Sequence, residues 1–85
     1  MEETKIKQDK INIGQNIRRI RLEKGIGQTE LVRMMQLRNI MIYRECLVKI
    51  ERGAQHITAS QLKGFNECLG TTYEELLKEY CLHRQ

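Results

Sequence analysis

The sequence predicts a compact all-α domain of five helices, and three observations support this fold class. Apolar residues recur every three or four positions in separate segments, which is the period of an amphipathic helix. The segments Thr58–Gln61 and Thr72–Glu75 carry the Thr-x-x-Gln/Glu pattern that caps a helix at its amino terminus. Proline is absent, and no segment gives the signal of a β-strand.

We expect a helix wherever apolar residues recur at helical spacing between residues that commonly begin or end a helix. Gly25 and Gly53 are expected stops, since glycine readily adopts the left-handed conformation that follows a last helical turn. The expected helices cover roughly residues 11–24, 28–37, 44–52, 58–69 and 72–82. Their core-facing side chains include Ile13, Ile17, Ile20, Leu31, Leu47 and Ile50. Short links between five such helices predict a single packed core.

The stretch between the second and third helices cannot be assigned by its period. Asn39 is expected just after helix two, because asparagine tolerates the left-handed backbone conformation. Three β-prone residues follow, at positions 40–42, and they predict an extended link with Ile40 and Ile42 turned inward. The link is longer than the turn of about three or four residues that usually joins the helices of a helix-turn-helix.

The composition excludes several classes of protein. The chain has 85 residues, 40% of them hydrophobic and 31% charged, which is typical of one globular domain. Its longest apolar run, Ile40–Tyr43, is too short to cross a membrane, and residues 1–10 lack the apolar region of a signal peptide. A cytoplasmic location is therefore expected. We divide the chain into a flexible amino-terminal arm at 1–10, a domain at 11–82 and a tail at 83–85.

The residues needed for catalysis or metal binding are not arranged in any familiar pattern. Cys46, Cys68 and Cys81 have no C-x-x-C spacing, and we expect them to be small apolar fillers. The one serine, Ser60, belongs to a capping segment, and the two histidines lie far apart in the sequence. The sequence therefore predicts neither an enzyme, nor a metal site, nor a bound cofactor.

Positive charge is concentrated in the first part of the chain. Residues 1–53 contain twelve Lys and Arg against seven Asp and Glu, whereas residues 54–85 contain three against four. Such asymmetry is typical of a domain that turns one face towards a polyanion, although a basic solvated surface has the same signature.

Three blocks occur in a recognisable order: IGQNIRRIRLEKGIGQTEL at 13–31, KIERG at 49–53 and ITASQLKGFNECLGTTYEEL at 57–76. This ordered set resembles the lambda-repressor-like, Cro/XRE-type helix-turn-helix family over roughly residues 11–78. The resemblance implies a five-helix domain in bacterial or phage regulators that binds double-stranded DNA. The chain shows no separate segment for a small-molecule effector.

The resemblance implies roles for residues of the third helix. Arg44, Glu45 and Lys49 match positions that reach base edges in the major groove. Arginine and lysine favour the two acceptors of guanine, and glutamate accepts from the cytosine amine. Arg44 and Lys49 could equally hold phosphates, and Glu45 could simply stabilise the start of its helix.

Other positions correspond to backbone contacts and to a structural pair. The resemblance implies that Gln28 holds a phosphate together with free amides at the start of helix two. Arg38, Tyr43 and Arg52 are further candidates for phosphate contacts, or else plain surface. In this family the positions of Arg21 and Glu51 form an ion pair that fixes two helices.

Some residues depart from the family pattern. Tyr43 and Gly27 stand where a capping Ser or Thr is usual, and Val48 occupies a position that is normally polar. Ala54-Gln55 replaces a basic pair. An alternative function is therefore a protein-interaction module of antitoxin or antirepressor type, in which Tyr43 and Val48 face a protein.

The last helix is expected to carry an apolar stripe longer than the core requires. Part of this stripe is a candidate homodimer contact, while core or ordinary surface is the alternative. The candidate residues are Tyr73, Leu77, Tyr80 and Cys81.

Overall fold

The computed structural model describes residues 5, 6, 8 and 11–79, and most of this part of the chain is helical. The helices described are α1 (Ile13–Glu23), α2 (Gln28–Leu37), α3 (Arg44–Glu51), α4 (Ala59–Leu69) and α5 (Tyr73–Leu76). Two short strands, β1 (Lys5–Ile6) and β2 (Ile57–Thr58), pair antiparallel. The predicted all-α class and the order of its helices are confirmed.

The helix ends follow the capping chemistry of the sequence. Thr58 caps α4: its hydroxyl accepts from the Gln61 amide at 3.1 Å, and the Gln61 side chain accepts from the Thr58 amide at 3.1 Å. Thr72 caps α5 by accepting from the Glu75 amide at 3.2 Å. Both predicted caps are thus present, and only the first is reciprocal.

A single apolar core lies among the helices. α1 packs on α3, α4 and α5, and α2 packs on α3 and α4. The largest side chain of this core, Phe65 of α4, is fully buried, as are Ile17, Leu31 and Leu47 from the first three helices. Burying side chains of this kind contributes about 1.5–3 kcal/mol each. The core therefore fixes α3 against α1 and α2.

The long link between α2 and α3 folds back onto the core as predicted. Asn39 lies directly after the C-cap residue of α2 with φ of 64°, and Ile42 is buried. Ile40 is half-buried and packs against the core, whereas Met41 points outward. Two backbone carbonyls of this link accept hydrogen bonds from side chains on neighbouring helices. The Gln36 Nε2 donates to the Ile42 carbonyl at 2.8 Å, and the Gln61 Nε2 donates to the Met41 carbonyl at 3.2 Å.

Lys5 and Ile6, which belong to the expected flexible arm at 1–10, take part in the short sheet. Lys5 pairs with Thr58 and Ile6 pairs with Ile57. Two-residue strands are too short to show an alternating pattern, so this sheet could not be predicted from the sequence. Of the expected arm, only residues 5, 6 and 8 are described.

The last helix is also shorter than expected. The sequence predicts a helix over 72–82, but α5 ends at Leu76 and Leu77 is its C-cap. Residues 80–82 lie outside the part of the chain that the structure describes. Among the described helices, none is long and apolar enough to span a lipid bilayer.

Candidate nucleic-acid interface

Helix α3 has one buried face and one face turned to solvent. Leu47 and Ile50 are fully buried in the core. Arg44, Glu45 and Lys49 are exposed on successive turns of the same helix. Residues four apart lie above one another on a helix, so Glu45 and Lys49 share a stripe and Arg44 lies beside them. The three candidate base-contacting side chains are thus presented together, away from the core.

Val48 and Tyr43 border this exposed face. Val48 lies one turn after Arg44 and is half-buried. Tyr43 is the N-cap residue of α3 and is 54% exposed. Its side chain makes no capping hydrogen bond within the described structure, as expected for tyrosine at this position. The first turn of α3 therefore lacks a side-chain cap.

Glu51, the last residue of α3, contacts a side chain of α1 and a side chain of α2. Its carboxylate accepts hydrogen bonds from the Arg21 Nε at 2.8 Å and from the Arg21 Nη2 at 3.1 Å. It also accepts a hydrogen bond from the Gln28 Nε2 at 3.1 Å. The Arg21 Nη1 donates to the Ile26 carbonyl at 3.0 Å, in the link between α1 and α2. The ion pair implied by the family resemblance is present, and it is bidentate and buried.

Gln28 is the first residue of α2, where a phosphate contact was expected. Its side chain is half-buried and held by Glu51, so the start of α2 is tied to the end of α3. The N-cap, Gly27, supplies no side-chain acceptor to the amides of the first turn. The start of α2 therefore combines a fixed glutamine with amides that no side chain of the described residues caps.

The remaining candidates for phosphate contacts differ in their surroundings. Arg38 forms an ion pair with Glu67 of α4, with 3.3 Å between Nη1 and Oε1. Arg52 is the exposed C-cap residue of α3. It lines a cavity of about 830 Å³ between α1 and the end of α3. Arg18 and Arg19 line the same cavity. Arg52 and Arg18 thus continue the basic surface beyond α3, whereas Arg38 is engaged elsewhere.

The candidate dimer residues are only partly within the described chain. Tyr73 and Leu77 are 44% and 36% exposed, whereas Leu76 between them is fully buried. Tyr80 and Cys81 lie outside the described residues.

The two described cysteines differ in how deeply they are buried. Cys68 is buried and Cys46 is half-buried. Burial raises the pKa of the Cys68 thiol, and the Arg38 guanidinium opposes part of this shift. No group of three or more potential metal ligands comes together in the described part of the chain.

Gln8 contacts α3, although the sequence does not indicate this contact. Gln8 is half-buried, and its side-chain amide donates to the backbone carbonyl of Ile50. A glutamine in a polar stretch gives no signal of such a contact, because its partner lies 42 residues further along the chain.

Solved structures with a similar fold include a controller protein and a hypothetical transcription factor. The restriction-modification controller protein C.AhdI from Aeromonas hydrophila has a TM-score of 0.67 and 23% identity, over 78% of this chain and 92% of that one. The hypothetical transcription factor NHTF from Neisseria has a TM-score of 0.70 and 26% identity, over 93% of this chain and 85% of that one. No protein-family model matches the sequence, and no curated protein matches it either.

Helices α2 and α3, packed against each other on a five-helix core, define the class as helix-turn-helix proteins. This arrangement agrees with the lambda-repressor-like, Cro/XRE-type fold that the sequence resembles, with a lengthened link before α3.

Proposed function

We propose that this protein binds double-stranded DNA sequence-specifically, as a small bacterial or phage transcription regulator that acts in the cytoplasm. The observation that carries the proposal is the exposed face of α3, on which Arg44, Glu45 and Lys49 stand over a buried apolar face. A helix of this kind fits the major groove with its first turns towards the base edges. The names of the two similar structures, a controller protein and a transcription factor, support the same role.

The side chains of α3 would divide the recognition of bases between them. Arg44 and Lys49 would each bind the N7 and O6 acceptors of a guanine, and Glu45 would accept from a cytosine amine. The bases would be reached without moving the core, because Leu47 and Ile50 hold the opposite face.

The DNA backbone would be held beside α3. The amides at the start of α2, with Gln28 fixed against Glu51, would receive one phosphate. Arg52 and the Tyr43 hydroxyl would bind others, since both side chains are exposed next to α3. Arg38 would contribute only after releasing Glu67.

We further propose a homodimer that reads a two-fold symmetric site. Tyr73 and Leu77 are exposed apolar side chains at the end of the described chain, and Tyr80 and Cys81 would extend the same contact. A symmetric dimer of this class reads half-sites about 34–36 Å apart on one side of the duplex.

The proposal is tested by selecting bound sequences from a pool of random duplexes. A palindromic site with a defined centre is the expected result, and it would support both sequence-specific binding and the two-fold dimer. On the selected site, Arg44→Ala should weaken binding by about 1–3 kcal/mol and relax one base position. Equal weakening on selected and random DNA would make Arg44 a phosphate contact. A pool that gains no sequence preference would contradict the proposal.

A second candidate function is the binding of a protein partner, of the antitoxin or antirepressor type, by the same surface. The observation that favours it is the exposure of apolar side chains around the link, with Leu37 79%, Met41 74% and Tyr43 54% exposed. Salt dependence separates the two functions. DNA affinity should fall by about 0.9 log units per log unit of salt for each phosphate contact. A partner held by apolar side chains should respond far less.

A further inference from the structure

Gln8 bridges three backbone segments with one side-chain amide. Its Nε2 donates to the Ile50 carbonyl at 3.2 Å and to the Gln55 carbonyl at 2.9 Å. Its Oε1 accepts from the Gly14 amide at 2.8 Å. Both hydrogens of the amide nitrogen and one acceptor site of the oxygen are therefore in use.

These contacts join the places where α3 ends and α1 begins. Ile50 belongs to the last turn of α3, Gln55 to the loop after it and Gly14 to the first turn of α1. The two helices are in backbone contact here, because a Cβ atom added at Gly14 would overlap the Ile50 carbonyl oxygen. Gln8 lies against this crossing point, where a small displacement changes the angle between the helices.

The short sheet holds Gln8 in this position. Ile6, two residues earlier, pairs with Ile57 at the start of β2. Ile57 is fully buried, and Ile6 packs partly against the core. The position of Gln8 is thus set by the strand pair on one side and by Gly14 on the other.

We propose that Gln8 is a positioning residue for DNA binding, which fixes the carboxyl-terminal end of α3 and the 53–56 loop against α1. This inference rests on the proposed function. This restraint would set the positions of Lys49 and Arg52 relative to the duplex, because these residues lie on either side of Ile50. Without it, the competent arrangement would be populated for less of the time, and the apparent affinity would fall in proportion.

The test compares Gln8→Met with the matched control Gln55→Met. Methionine keeps the length of glutamine and removes its polar atoms. The Gln55 side chain lies in the same region and makes no side-chain hydrogen bond within the described structure, so its replacement should be silent. Two measurements are made on each full-length variant: affinity for the selected duplex as a function of salt, and hydrogen exchange of the Gly53 and Ala54 amides. Those amides donate to the carbonyls of Ile50 and Lys49.

For Gln8→Met we expect faster exchange at Gly53 and Ala54 and an affinity about threefold to tenfold weaker, from the loss of the three hydrogen bonds of the Gln8 side chain. The slope of affinity against salt should stay unchanged, because no phosphate contact is lost. A shallower slope would make Gln8 a direct phosphate contact and overturn the inference. Unchanged affinity, measured well below the melting temperature, would also overturn it by reducing Gln8 to a purely structural residue.

A second variant tests the donor half of the amide. Gln8→Glu keeps the acceptor for Gly14 but cannot donate to the two carbonyls at neutral pH, so it should bind no better than Gln8→Met. Wild-type affinity for Gln8→Glu would contradict the proposal. If the wild-type protein bound no duplex, the proposed function would fail together with the role in DNA binding. The exchange rates would then still show whether Gln8 restrains the end of α3.

Discussion

Truncation of Glu51 is the change for which the structure predicts the largest loss of stability outside the apolar core. The side chains of Arg21 and Glu51 are only 8% and 3% exposed, and their contact is bidentate. Glu51→Ala leaves the Arg21 guanidinium buried with the Ile26 carbonyl as its remaining described partner. It also removes the acceptor of the Gln28 amide.

The expected cost follows from the burial of the charge that remains. Breaking a buried ion pair by removing one partner typically costs about 3–5 kcal/mol, because the other charge is left uncompensated. At roughly 0.05–0.15 kcal/mol per residue, a domain of this length has an unfolding free energy of about 4–13 kcal/mol. Glu51→Ala should therefore remove a large fraction of the stability.

Urea unfolding followed by circular dichroism measures this loss. The singles Glu51→Ala, Glu51→Leu and Arg21→Met should each unfold at a much lower urea concentration. The double variant Arg21→Met/Glu51→Leu should recover most of the loss, because two apolar side chains replace the pair without leaving a buried charge. A cost below about 1 kcal/mol for each single variant would show that the pair does not behave as a buried one, since such values are typical of exposed pairs. Additive losses in the double variant would lead to the same conclusion.

Three further predictions concern the link and the cysteines. Asn39→Ala should destabilise the protein by about 1 kcal/mol in urea unfolding, because alanine resists a φ of 64°, whereas Asn39→Gly should not. Tyr43→Ser should stabilise the protein by about 0.5–1 kcal/mol, because serine caps α3. The same change should weaken DNA binding. A variant that binds as tightly as the wild type would exclude Tyr43 as a phosphate contact. Burial raises the pKa of the Cys68 thiol more than Arg38 lowers it, so thiolate is scarce at neutral pH and half-buried Cys46 should be alkylated first. Peptide mass spectrometry measures the two rates, and equal rates in the native protein would contradict this order.

Features encoded by neighbouring residues could be predicted from the sequence. The cap at Thr58 and the left-handed Asn39 depend on residues within a few positions of each other, and both are present. The β-prone isoleucines of the link lie on one side, and this side packs against the helices that the link joins. Ile42 is therefore buried. The length of the link, unusual as it is, therefore did not obscure the position of α3.

Features that depend on distant residues could not be predicted. The Gln8 contacts span 42 and 47 residues, and the strand pair at Ile6 and Ile57 involves too few residues to show a period. Arg38 resembled a free basic side chain in the sequence, but α4 places Glu67 beside it. The Arg21–Glu51 pair is equally distant, and only the family resemblance indicated it.

Methylation interference at guanine N7 tests whether α3 binds guanines in the major groove. A methyl group at N7 removes the acceptor that Arg44 or Lys49 would use. For the wild-type protein on its selected duplex, methylation of particular guanines should block binding. In Arg44→Ala, methylation of one of these guanines should no longer block binding, whereas methylation of the other guanines should still block it. Binding that tolerates N7 methylation at every guanine would show that α3 does not bind guanines in this way.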